Sequence, residues 1–228
     1  MSLFLSTVDF PNVCVYRCYY HRLLKTIVHV ADPSTDKSVL SVDTMETEWL
    51  ILNRIWDMRR KTKCRKFVGA LTTELVRKEL LKLGFNVSNR DVFIEGIPYE
   101  LDLLVIKSGK QPKENMVYHP DDVLAVLEIK FRGSYGRGSI DKVGRVFDSI
   151  KSANKKLECF YISVSENKNY KYRVTRENLG YDCFELLTRE SNLESALRRG
   201  CIRRTRDWQK LLSKLRGLTS SRSSIVSA

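Results

Sequence analysis

The stretch Val123-Leu124-Ala125-Val126-Leu127-Glu128-Ile129-Lys130-Phe131 decides the fold. Seven of its nine residues are apolar, the composition of a central strand buried on both faces of a sheet. Side chains alternate along a strand, so Leu124, Val126, Glu128 and Lys130 are expected on one face and Ala125, Leu127, Ile129 and Phe131 on the other. Glu128 and Lys130 are then two neighbouring charges in the least suitable part of a sheet. Upstream, Tyr99 to Lys107 reads as a second strand, with Asp102 on the face of Leu104 and Ile106. An isolated buried carboxylate is costly enough that it neutralises or finds a cation.

The elements around these strands define the class. Phe85 to Ile94 reads as a further strand ending in a Glu95-Gly96 turn, and Ser108 to Asp122, polar and with two prolines, as a loop. A helix is expected from about Gly69 to Leu83, closed by Gly84. A second is expected from about Ser139 to Lys156, with Ile140, Val143, Phe147, Ile150 and Ala153 on one face. Cys159 to Val164 is a fourth core strand. Met45, Trp49, Leu52 and Trp56 place an earlier helix at about Asp43 to Arg60. Phe4 to Tyr16 and Leu23 to Val30 are apolar enough for strands, and Trp208, Leu211, Leu212 and Leu215 mark a last helix from about Arg203 to Arg216. The order of helix, three strands, helix and strand gives an α/β fold, a central mixed β-sheet flanked by helices. The expected organisation is 1–66 as N-terminal strands and helix, 67–190 as the core, 191–217 as a basic helical region and 218–228 as a disordered Ser-rich tail.

Composition narrows the partners. The chain has 228 residues, 43% apolar and 29% charged, which excludes wholesale disorder and suits one sizeable core. No apolar run approaches the roughly 20 residues that span a bilayer, and the N-terminus has no basic segment before an apolar run, so an intracellular place (cytoplasmic or nucleoid-associated) is expected, with no membrane partner. The six cysteines form no CxxC pair, and three His in the whole chain leave little for a His-rich metal site; buried free thiols are the expectation. The net charge of +13 points to a polyanionic partner. It is concentrated. Arg54 to Lys66 holds seven basic residues against Asp57, and Arg198 to Arg222 holds nine against Asp207. Either run alone would serve as a solvated face; two runs flanking one site read as a phosphate-binding surface.

A divalent cation would resolve the buried carboxylates. Asp102 and Glu128 on adjacent strands, with a backbone carbonyl and waters, suit Mg²⁺, which prefers oxygen ligands and keeps several waters. Lys130 would hold a water or offset charge on a phosphate. The alternative is a structural ion pair between Lys130 and one carboxylate, or a strand end that reaches solvent.

Asp102, then Glu128-Ile129-Lys130 about 25 residues on, in this order of elements from about Gly69 to Val164, resembles the metal-binding core of the PD-(D/E)xK nuclease superfamily, with its restriction-endonuclease-like fold. Leu101 stands where that family commonly has a proline, and Pro98 lies four residues before Asp102. The resemblance implies Asp102 and Glu128 as ligands of Mg²⁺ (Mn²⁺ substituting) and Lys130 as the residue that positions the nucleophilic water. Glu74 matches the glutamate that many members carry on the preceding helix, as a further catalytic and metal residue. Its other reading is an i,i+4 pair with Lys78. The implied function is a metal-dependent nuclease acting on DNA, with endonuclease the expected type; the alternative is a catalytically inactive nuclease-like DNA-binding module. Arg59, Arg60, Lys63, Arg65, Arg203, Arg204 and Arg206 in the basic runs, with Arg132 and Arg137 beside the glycine-rich Gly133–Gly138 loop, are the expected nucleic-acid contacts. Cutting both strands of a duplex would favour a homodimer. Glu79 is expected at the surface and His119 in solvent.

Overall fold

The computed structural model describes residues 65–113, 116–132, 137–165, 174–187 and 204–220. The expected strands before residue 42, the helix over 43–60, and the side chains of Arg59, Arg60, Lys63, Arg65, Arg132, Arg137 and Arg203 lie outside the described residues. Helix α1 spans Arg65–Lys82. Short strands β1 (Phe93–Ile94) and β3 (Val117–Tyr118) pair in parallel as a small two-stranded sheet. The main sheet has the order β2 (Leu103–Ile106), β4 (Val123–Arg132), β5 (Glu158–Ser165), β6 (Asp182–Leu187). Helix α2 (Arg137–Ala153) connects β4 to β5, α3 (Arg176–Leu179) precedes β6, and α4 (Arg206–Ser220) follows it. β2 runs antiparallel to β4, while β4, β5 and β6 are mutually parallel, so the expected mixed sheet flanked by helices is present.

The nine-residue apolar stretch is a central strand, with β2 on one side and β5 on the other. Each face has its own core. Ala125, Leu127, Ile129 and Phe131 join Phe160 and Ile162 beneath α1 (Val68, Leu75, Leu80) and α4 (Trp208, Leu211, Leu215). The opposite face carries Val126 with Leu104, Ile106 and Tyr161, and it is covered by Ile140, Phe147 and Ile150 of α2. One residue departs from simple alternation. Val105 pairs with Ala125 but Ile106 pairs with Val123, so Leu124 is an extra residue in a bulge. It therefore packs with Ala125 and Leu127 on the α1 face, and not with Val126 as expected.

Helix α1 ends as its glycine requires. Gly84 has φ of 82°, with Phe85 N–H donating to the Leu80 carbonyl at 3.0 Å and Gly84 N–H to Leu81 at 3.0 Å. That is a Schellman closure, and Leu80 and Phe85 share the same core.

Four expectations need correction. The strand over 85–94 is broken. Residues 86–88 bond to β2, with Ile106 N–H donating to Asn86 and Ser88 N–H to Leu104; the polar run Ser88-Asn89-Arg90-Asp91 then turns, with Asp91 at φ of 56°. The strand over 99–107 is shorter, because its first part pairs with Val92 through Leu101 alone before β2 begins at Leu103. The loop over 108–122 contains β3, whose Tyr118 is buried. Finally, α4 continues to Ser220, because Leu218 still packs against the core, so residues 218–220 of the expected tail are helical. β6 and α3 are not legible as elements in the sequence: β6 is six residues with Asp182 and Glu185 interrupting its apolar positions. Among the described residues, Cys159 and Cys183 are free thiols; burial pushes each up to about 12. No described helix is long and apolar enough to cross a membrane.

Candidate active site

The site forms where β2 leaves β4. Leu103 pairs with Leu127, and one further antiparallel step would set Asp102 opposite Glu128. The chain bends at Asp102, so its side chain meets β4 in place of its backbone. Asp102 Oδ2 accepts the backbone N–H of Ile129 at 2.7 Å, a strong bond because the acceptor is charged. The same oxygen accepts from Lys130 Nζ at 3.2 Å. Lys130 Nζ also lies 2.5 Å from Glu128 Oε1. Three residues that the sequence marks as one group are therefore joined, Asp102 and Glu128 each touching the shared Lys130 ammonium and Asp102 held by a backbone amide.

Period-two alternation puts Glu128 and Lys130 on the α2 face of the sheet, in the row that starts with buried Val126. Exposure rises along the row: Glu128 is 19% and Lys130 27% exposed, with Asp102 at 24%. The charges stand at the mouth of the core, reachable by water and by a ligand. Burial first, and then the Asp102 charge, hold the Glu128 carboxyl above its ordinary range; Lys130 and Lys142 of α2 pull it back. Two carboxylates share one bridging ammonium, so the group carries a net negative charge when both are ionised. The alternative of a structural ion pair is partly realised here, since Lys130 is paired, but it is paired to two carboxylates and neutralises only one.

The donor set fits a hard divalent cation of the Mg²⁺ type. Oxygens of Asp102 and Glu128 both touch one ammonium, so a single small cation would reach both, and their partial exposure leaves room for waters. Mg²⁺ is commonly held by one or two carboxylates with waters and phosphate oxygens completing its shell. Among the described residues no group of three or more His, Cys, Asp or Glu is placed to hold a metal. Glu74 accordingly stands outside the group: its carboxylate takes Arg77 at 3.2 Å and Arg90 at 3.6 Å.

The basic residues divide. Arg204 is committed to the α1 side of the sheet, with Nη2 at 3.0 Å from Glu79 and its guanidinium 5.0 Å from the Trp208 ring centre. Glu79, expected at the surface, is buried with a side chain only 8% exposed, because Arg204 and Lys82 (3.4 Å) supply the counter-charge. Arg206 is exposed at the start of α4. His119 is exposed as expected, its Nδ1 accepting the N–H of Asp121. Tyr161 and Ser163 of β5, absent from the residues that the sequence singles out, register beside Glu128 and Lys130. Ser163, 8% exposed, is a polar residue set between Ile162 and Val164. That placement in an apolar run is the signal the sequence offers for it.

No family model matches the chain, and no curated protein matches it. Among solved structures the chain is similar to NucC of P. aeruginosa ATCC27853 in its cAAA-bound form, with 9% identity, 80% of this chain and 92% of that chain covered, and a TM-score of 0.49. It is also similar to NucC of E. coli MS115-1 in its cAAA-bound form, with 11% identity, 60% and 66% coverage, and a TM-score of 0.40.

Proposed function

We propose that the protein is a nuclease of the PD-(D/E)xK type that hydrolyses phosphodiester bonds of DNA, with Mg²⁺ as its cofactor. The observation that carries this reading is the contact of Asp102 and Glu128 with one Lys130 ammonium, at the end of a buried strand that opens to solvent. Asp102 and Glu128 would hold the cation. When bound, it would supply Lewis acidity toward a phosphate oxygen and lower the pKa of a coordinated water. Asp102 is kept in place for this task by the Ile129 amide, which leaves its second oxygen for a ligand. Lys130 donates hydrogen bonds and is cationic, so it would orient the attacking water and offset charge gathering on the phosphate. Glu74 joins only if it exchanges Arg77 and Arg90 for the site. The net charge of +13 supports a polyanionic substrate held largely through its backbone, with binding that weakens steeply in salt.

A second reading, a nuclease-like DNA-binding module without catalysis, draws support from Lys130 already satisfying part of the carboxylate charge. The deciding experiment is cleavage of supercoiled plasmid, linear duplex, single strand and four-way junction with and without Mg²⁺ or Mn²⁺. The nuclease reading expects metal-dependent cutting that falls about 10²- to 10³-fold in Glu128→Gln while DNA binding persists. Salt-sensitive binding with no cutting in any metal selects the second reading.

A further inference from the structure

The two carboxylates of the site are held in different ways. Asp102 has a bond from the backbone amide of Ile129 that does not depend on any side chain. Among the described residues, the hydrogen-bonding partner of Glu128 is instead a side chain, the Lys130 ammonium, 2.5 Å away. The same ammonium reaches across to Asp102. A single positive group thus sits against both oxygen donors, in contact with the atoms that a divalent cation would claim. A cation entering there would meet Lys130 first, as a competitor for the carboxylates.

We infer that Lys130 is a built-in stand-in for the divalent cation: in the metal-free protein its ammonium joins Asp102 to Glu128 and keeps Glu128 in position, and cation binding displaces it toward the water and phosphate. This rests on the reading that Asp102 and Glu128 hold the cation, and it adds an order of events. Lys130 becomes available to substrate only after the metal has arrived. A lysine suits the exchange, because a compact ammonium on a flexible stem swings away without dismantling a planar, two-pronged contact. Ser163 is registered beside Lys130 on the neighbouring strand β5.

The test uses the full chain stripped of metal, titrated calorimetrically with Ca²⁺ and with Mn²⁺, for wild type, Lys130→Met and Lys130→Gln. Two partly exposed ion pairs convert to about two- to thirtyfold in affinity, so both variants are expected to bind the cation tighter by that factor. Metal-free variants should also melt below wild type and gain more from added Ca²⁺, which a merely structural lysine would not produce. In the wild type, labelling of the Lys130 amine by an acylating reagent, followed by mass spectrometry, should rise several-fold when Ca²⁺ is added. Equal or weaker cation binding in both variants, or labelling that Ca²⁺ leaves unchanged, overturns the stand-in role while the metal site itself survives. Absence of Ca²⁺ and Mn²⁺ binding in wild type and variants alike overturns the metal site and the stand-in role together.

Discussion

Glu79 and Glu128 are carboxylates on opposite sides of the same sheet, and they differ in how many cations face them. Glu79, on α1, meets Arg204 and Lys82: one negative charge against two positive ones, in a side chain almost fully buried. Glu128, on β4, shares Lys130 with Asp102: two negative charges against one positive, at a partly open edge. Burying a carboxylate demands compensation in either case. At Glu79 the protein supplies more than enough by itself, and the cluster fastens Arg204 and the start of α4 to α1. At Glu128 only one ammonium is in contact, with Lys142 acting from farther off, and the proposed cation would supply the remaining compensation. Charge balance, more than burial, separates a fastening from a candidate site.

The largest contrast should appear in activity. Glu128→Gln is expected to lower the rate of DNA cleavage by about 10²- to 10³-fold, while Glu79→Gln leaves it within about twofold at temperatures where both are folded. Equal losses in the two variants, in the same plasmid-cleavage assay, would break the comparison. Stability should invert the order. Glu79→Gln removes the counter-charge of a buried pair whose partners are themselves part-exposed, so a loss of about 1–2 kcal/mol is expected, a drop in Tm of about 2–8 °C by calorimetry.

The smallest effect is a pH dependence. Glu128 has its carboxyl held above the ordinary range, chiefly by burial and then by Asp102. The folded chain therefore binds that proton more tightly than the unfolded chain. Its stabilising effect is complete below the ordinary carboxyl value and is lost as pH rises through the raised one. Metal-free Glu128→Gln should melt with wild type at the acid end and above it near neutrality, as read by calorimetry across the pH range. A wild type that gains on the variant as pH rises would show that Lys130, not burial, governs this carboxylate.

The two carboxylates also differ in how visible they are in the sequence alone. Glu128, Lys130 and Asp102 stand out because their strands bury the neighbouring residues on both faces, and a charge in such an apolar run has no local excuse. The mixed sheet, its central strand and the helices over it follow from the same regularity. Glu79 carries no such signal. It sits in a helix where Thr72 and Thr73 are also buried, so the polar and apolar stripes are blurred, and its partner Arg204 lies 125 residues away. The same distance effect hides the partners of Arg204 and Glu74: a cation's partner is set by tertiary contact, which a linear count of basic residues does not contain. β1, β3 and β6 are short or interrupted by polar residues, and pairing with distant strands defines them.

The bulge at Leu124 governs how this strand would be aligned with others. Because the extra residue is absorbed there, Val123 and Ile106 keep their side of the sheet while everything from Ala125 onward keeps its own. A related strand lacking the bulge would be one residue shorter between its first turn and its acid-x-lysine triplet, yet would present that triplet identically. The gap in such an alignment belongs at Leu124 or Ala125, the two consecutive residues that face α1, since leaving out either one restores strict alternation.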